Sequence, residues 1–270
     1  MSDDCNENQF PTQNVSYVLS QSGLQILNGL QGIFVKQKFE ALEVLLGCDF
    51  PNVYKVFAID SNGVKIGQFP LFKCKEISNC CVRNFLPGDC RPFQMQVSNN
   101  LGQVGQVGFE KSMFMILERP FKCTCCCLNR PILDVNIVEN GSSQNGVIGR
   151  IFSPCLVCSL GVDIQDAQGN LKYQIEGNIC QAGICCKALP CDSCQTVNLE
   201  LKGPDGNIIS QITKTTADCL ISYISDTSNF QVQFPTDASA EDKALILSAT
   251  LFLDFMYFEE NNQNRNRVDD

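Results

Sequence analysis

The chain has 270 residues, 44% of them hydrophobic, with a net charge of −9 and a pI near 4.6. That is enough for one large β domain or two smaller ones, and the acidity leaves no electrostatic footprint for nucleic acid or for membrane attachment by charge alone. Histidine is absent while cysteine occurs 18 times, which removes every His-based triad, general base and metal ligand, so ordinary hydrolase chemistry and an enzyme are not expected.

The opening MSDDCNENQ is acidic and polar, the opposite of a charged-then-apolar leader, which predicts a cytosolic domain with reduced thiols. Residues 1–22 read as a disordered tail, residues 23–260 as one domain without a linker, and the polar NNQNRNRVDD of residues 261–270 as a second disordered tail. From Gly23 onward the pattern is short strands and turns. Five stretches share one design, in which a Gly-bearing turn joins two β-rich segments: Val53–Phe69, Phe93–Phe109, Ile132–Phe152, Gly161–Glu176 and Val197–Lys214. Alternation is clean where Phe93, Met95 and Val97 face one way against Gln94 and Gln96. It is equally clean for Val197, Leu199 and Leu201, and for Phe230 and Val232 ahead of Phe234.

Between the second and third hairpins lies ERPFKCTCCCLNRP, with Cys123, Cys125, Cys126 and Cys127 among Arg119, Lys122 and Arg130. A thiol cluster in a basic loop suits S-acylation, because cations hold the loop near anionic headgroups and several acyl chains anchor stably where one anchors marginally. Downstream come Cys155, Cys158, Cys180, Cys185, Cys186, Cys191 and Cys194, which contain two CxxC pairs. With no histidine, zinc would need an all-cysteine tetrahedral site; free thiols are the favoured alternative.

Asp226–Asp237, DTSNFQVQFPTD, begins and ends on Asp over twelve residues. As an EF-hand it is poor, without Gly at the sixth position or Glu at the twelfth. Side-chain oxygens come from Asp226, Ser228 and Asp237, with Asp218 nearby, whereas Phe230, Val232 and Phe234 offer only backbone oxygens. Few carboxylates imply weak Ca²⁺ affinity, and a strand plus a turn is the simpler expectation.

The last element is the most apolar. Ala244–Phe258, ALILSATLFLDFMYF, is broken only by Ser248, Thr250 and Asp254. Ser239 and Asp242 form a capping box signature after Pro235, so the helix is expected over residues 239–258. Fifteen apolar-rich residues reach about 22 Å, short of a bilayer core of roughly 30 Å, and Asp254 would lie within the span. Burial inside protein meets both objections. Ten to fourteen strands followed by such a helix predict a mainly β fold: a closed antiparallel β-barrel of about twelve strands enclosing a hydrophobic C-terminal α-helix.

From Gly23 to Glu260 the chain resembles the phospholipid scramblase family. The resemblance is carried by LEVLLG at Leu42–Gly47, RPF at Arg91–Phe93, NLGQ at Asn100–Gln103, ERPFKC at Glu118–Cys123, NFQVQFP at Asn229–Pro235 and LDFMYFE at Leu253–Glu259. It implies Ca²⁺-dependent, ATP-independent, two-way movement of membrane phospholipids. It also implies palmitoylation at Cys123, Cys125, Cys126 and Cys127, a calcium segment at Asp226–Asp237, and residence at the cytoplasmic face of the plasma membrane. The family is similar to Tubby-like proteins, in which a β-barrel surrounds a hydrophobic C-terminal helix. The sequence departs from the family at Ser228, where Asp is usual, and lacks the Pro-rich N-terminal region of longer members. Ser210–Asp218, the counterpart of a basic import stretch, holds one Lys. A rival reading is an acylated, membrane-bound adaptor that binds a lipid or protein partner and moves no lipid.

Overall fold

A computed structural model describes residues 23–38, 51–78, 86, 90–100, 113–123, 128–138, 146–186, 191–216 and 228–258. The tails at 1–22 and 261–270 lie outside them, as do Asp226, Cys125, Cys126 and Cys127.

A short helix, α1 (Gly23–Asn28), precedes β1 (Gly32–Gln37), β2 (Val53–Ile59), β3 (Lys65–Ile66), β4 (Phe72–Ile77), β5 (Phe93–Asn99) and β6 (Met113–Arg119). Then come β7 (Ile132–Ile137), β8 (Gly146–Phe152), β9 (Ser159–Asp166), β10 (Leu171–Asn178), and the one-turn helices α2 (Ala182–Cys185) and α3 (Asp192–Gln195). β11 (Thr196–Lys202), β12 (Ile208–Thr216), β13 (Ser228–Gln233) and α4 (Ala240–Leu253) complete the order. The axis of α4 continues through a π-turn at Asp254–Phe258.

Neighbouring strands pair antiparallel from β4 round to β13, and β1 closes the ring by pairing β13 on one side and β2 on the other. The registers there are Ile33 against Val232 and Phe34 against Phe57. Of the thirteen described strands, β3 pairs among them only with the end of β2, so twelve close the barrel. Closure removes the exposed sheet edges.

The hairpins predicted around Gly-bearing turns are present as β2–β3, β7–β8, β9–β10 and β11–β12; of the fifth, Phe93–Phe109, only the first arm is described, and it pairs as β5 with β6, which begins past the predicted stretch. Its turn at 101–112 lies outside the described residues. Three turns share a mechanism. The carboxylates of Asp60, Asp166 and Asp205 accept backbone N–H groups two residues on, and Gly63, Gly169 and Gly206 take positive φ. The inward positions Phe93, Met95, Val97, Val197, Leu199 and Leu201 are buried, as their alternation predicts.

α4 runs through the barrel and is buried from Asp242 to Leu253. Nearly every side chain on it is enclosed, so its apolar residues need no preferred face. The polar interruptions are accommodated locally: Ser248 Oγ donates to the Ala244 carbonyl at 2.7 Å and Thr250 Oγ1 to the Ile246 carbonyl at 2.9 Å. The barrel wall also makes room. A Cβ at Gly149 would stand 2.8 Å from Leu245 of the helix and would collide with the Gln165 carbonyl.

The helix starts as its sequence indicates. Ser239 and Asp242 satisfy each other's backbone N–H groups in a complete capping box. Asp242 also pairs with Lys172 at 3.0 Å, and beside it burial and the Asp242 charge push the Tyr173 phenol up to about 12. Lys243 donates to the carbonyls of Asn28 and Leu30, which ties α4 to the turn after α1. Burial alone would raise the Asp242 carboxyl, but hydrogen bonds from Lys172 and Ser239 outweigh it and hold it below its usual value of 3.8. A carboxyl lowered on folding stabilises above its unfolded pKa and loses that contribution as pH falls through the folded one. Stability should therefore fall on acidification below about pH 4, while Asp242→Ala should cost about 1–2 kcal/mol at neutral pH and flatten the acid slope in urea melts.

Candidate functional site: the enclosed helix end and the cysteine rim

Strand directions divide the barrel into two rims. α4 begins at the rim that carries the Asp60, Asp166 and Asp205 turns, and its π-turn ends at the other. The connections at this second rim are 38–52, 78–92, 120–131, 153–158, 179–195 and 217–227.

The π-turn is held by buried polar and cationic groups. Tyr54 donates its hydroxyl to Asp254 Oδ2 at 2.7 Å, with both residues buried. Phe255 stacks on Phe93 with ring centroids 4.2 Å apart, and the Arg91 guanidinium lies 5.6 Å from the Phe255 ring. Arg91 also pairs with the fully buried Glu76 carboxylate at 3.5 Å, which in turn accepts from the Asn52 backbone and side chain. Arg119 sits 5.6 Å from the Phe252 ring and 5.7 Å from Phe93. Lys214 lies 4.4 Å from Phe258. Tyr257 donates its hydroxyl to the Gly161 carbonyl at 3.1 Å. The Tyr54, Phe93, Arg91, Arg119, Lys214 and Gly161 contacts join the helix end to a barrel strand or to the segment entering one, and Glu76 braces Arg91 from the wall. Asp254, an obstacle to a membrane span, is here a hydrogen-bonded anchor.

Sequence reasoning assigned no role to Tyr54, Glu76, Arg91 or Lys214, and it counted Arg119 among the cations of the cysteine loop, whereas Arg119 ends β6 buried against Phe93 and Phe252. The one signal was the repeated R-P-F at Arg91–Phe93 and Arg119–Phe121, whose two arginines clasp opposite parts of one aromatic cluster.

The same rim gathers the thiols. Nine of the ten described cysteines fall within its connections, all but Cys74. Of the ten described cysteines, only Cys74 lies in a strand and inside the core, where burial pushes its thiol up to about 12. Cys123, Cys155, Cys158, Cys180, Cys185 and Cys186 are exposed. Cys191 and Cys194, one of the two CxxC pairs, are joined to each other in a disulfide that links the N-cap of α3 to its third residue. Among the described residues no group of three or more Cys, Asp or Glu is placed to hold a metal ion.

The described part of the Asp226–Asp237 segment is a strand. Ser228 is buried at the start of β13, and its backbone N–H donates to Gln37 Oε1 at 3.1 Å. Phe230, Val232 and Phe234 turn their side chains into the core, and Phe230 and Val232 are paired on both sides. Asp237 lies past the far end of the strand, before the helix cap. A strand rises about 3.3 Å per residue, so Ser228 and Asp237 stand on the order of 20 Å apart, beyond the reach of one ion. These residues do not fit a single Ca²⁺ while β13 stays in the sheet.

Among the described residues no helix is long and apolar enough to cross a membrane. Comparison with solved structures finds no match. Comparison with curated proteins finds phospholipid scramblase 2 of Bos taurus, 28% identical over 238 residues, which covers 88% of this chain and 71% of that protein. Phospholipid scramblase 1 of Mus musculus is 29% identical over 91% of this chain and 66% of its own length. Phospholipid scramblase 1 of Homo sapiens is 29% identical over 88% of this chain and 66% of its own length. The chain thus spans about two thirds or slightly more of the length of these relatives. Scanning against protein families matches residues 11–260 to the family described as Scramblase; the chain belongs to the scramblase family.

Proposed function

We propose that the chain takes part in ATP-independent, two-way movement of phospholipids between the leaflets of a membrane, held at the inner leaflet of the plasma membrane by acylation of Cys123, Cys125, Cys126 and Cys127. Family membership across residues 11–260 carries this reading. The barrel supplies a rigid body, and the β6–β7 connection that bears Cys123 is exposed at the rim where the central helix ends. The resemblance extends the proposal to Ca²⁺ dependence, but no step here runs through that ion, because the described residues of Asp226–Asp237 do not converge.

The closed barrel also favours a second reading, a membrane-bound adaptor that moves no lipid. Its interior is filled by α4 and offers headgroups no polar path, so direct lipid transfer requires the Tyr54–Asp254 bond to break and the helix to leave the barrel. Purified protein in vesicles with fluorescent phospholipid in both leaflets separates the two. The scrambling reading predicts that an impermeant quencher reaches inner-leaflet label when protein is present, faster with Ca²⁺. Equal quenching with and without protein, at every Ca²⁺ level, leaves the adaptor.

A further inference from the structure

The cysteine rim carries exposed apolar side chains. In the β6–β7 connection Phe121 is 57% exposed and Leu128 is 72% exposed, and in the β8–β9 connection Val157 is 90% exposed beside a partly exposed Leu156. The two connections are neighbours. Arg130 reaches across to donate to the Ser153 carbonyl and hydroxyl, and the Ser153 N–H donates to the Pro131 carbonyl. Thiols alternate with these apolar groups: Cys123 follows Phe121, while Cys155 and Cys158 bracket Leu156 and Val157, all three exposed.

Charge distinguishes these two connections from the turns of the opposite rim and from the other connections of their own, whose sequences hold Glu40, Glu43, Asp49, Asp89, Asp192, Asp218 and Asp226. Residues 120–131 and 153–158 include Lys122 and Arg130 and no acidic residue, on a chain of net charge −9. The opposite rim also exposes apolar groups, Val64, Phe69 and Ile208 among them, but its turns hold Asp60, Asp166 and Asp205. An anionic bilayer surface attracts the first and repels the second. Exposed apolar side chains beside the two cations Lys122 and Arg130, in connections free of carboxylates, suit the headgroup–acyl boundary.

We infer that Phe121–Cys123 and Leu128–Arg130 of the β6–β7 connection form a bilayer-seating surface together with the β8–β9 connection, and that Cys155 and Cys158 are acylation sites in addition to the cluster that begins at Cys123. The occupant is a lipid bilayer with anionic headgroups. The acyl donor is a long-chain acyl thioester of coenzyme A. The cysteine thiolate attacks the thioester carbonyl, the carbon–sulfur bond to coenzyme A breaks, and coenzyme A leaves as its thiol with the proton the cysteine gave up. No electron changes hands. Acyl chains at Cys155 and Cys158 would enter the bilayer beside Leu156 and Val157, and with those on the β6–β7 connection would fix the barrel with α4 pointing its C-terminal end at the membrane. This rests on the membrane anchoring proposed above.

Two measurements test it on the full chain. Protein from cells is mass-tagged at hydroxylamine-sensitive thioesters. The variant with Cys123, Cys125, Cys126 and Cys127 all changed to Ser should keep two tags, and adding Cys155→Ser and Cys158→Ser should remove both. Tags confined to the first four cysteines overturn this inference and leave the proposed anchor standing; no tags on the wild type overturn both; tags that survive the six changes overturn the assignment to Cys155 and Cys158. Unacylated protein is then sedimented with phosphatidylcholine vesicles containing about one fifth phosphatidylserine. Leu156→Asp with Val157→Asp should weaken binding about tenfold or more, while Ile208→Asp with Ile209→Asp on the opposite rim should not. Equal binding by both pairs overturns the seating surface. So does a dimer in solution that the first pair abolishes while vesicle binding is unchanged. Melting curves confirm that the exposed substitutions leave the fold intact.

Discussion

A chain that ends at Thr236 is expected not to fold. The truncation removes Leu245, Ile246, Leu247, Leu251, Phe252 and Phe255 from the middle of the barrel, together with their neighbours on α4, all buried. Burying each such side chain contributes roughly 1.5–3 kcal/mol, and a domain's net stability is only about 5–15 kcal/mol. Neither collapse of the ring nor water can replace a rod that fills its whole interior. Circular dichroism and size exclusion of the truncated chain should show loss of β structure or aggregation. A folded, monomeric truncated barrel would mean that the helix is an appendage, as a membrane-spanning segment would be.

The second large effect concerns the helix end. Arg91→Met should destabilise the chain by about 3–5 kcal/mol, because it leaves the Glu76 carboxylate buried without its cation and strips the guanidinium from the Phe255 ring. Adding Glu76→Gln removes the stranded charge, so the double variant should be more stable than Arg91→Met alone. Urea midpoints of the four chains decide it. Additive losses would show that the two residues do not act as a pair.

The barrel was legible because its signals are local. Alternation in Phe93–Val97 and Val197–Leu201, and glycine turns in which Asp166 or Asp205 caps the backbone, are written within a few residues. The enclosed helix was legible from length and from Asp254, since a carboxylate near the end of a short apolar run argues for protein around it. What stayed hidden is what joins distant segments. Tyr54 and Asp254 lie 200 positions apart, and nothing about a tyrosine on an alternating strand announces a carboxylate partner. α1 was not anticipated, as six residues of GLQILN carry too little periodicity to stand out from a strand-rich region. The cysteines appeared as two clusters in sequence. Only strand directions place both on one rim, and only the structure shows Cys191 and Cys194 bonded to each other. For Asp226–Asp237 the strand plus turn was the simpler expectation, since the alternation of Phe230, Val232 and Phe234 marks the strand that sets Ser228 and Asp237 apart.

Hydrogen exchange of the α4 amides tests the enclosed helix most directly, measured by mass spectrometry on the free protein without membranes. Peptides covering Ala244–Leu253 should exchange only as slowly as the barrel unfolds globally, with no lipid or detergent needed for protection. Rapid exchange in the free protein, with protection appearing only when vesicles are added, would show that the helix is sheltered by the membrane and that the barrel does not enclose it.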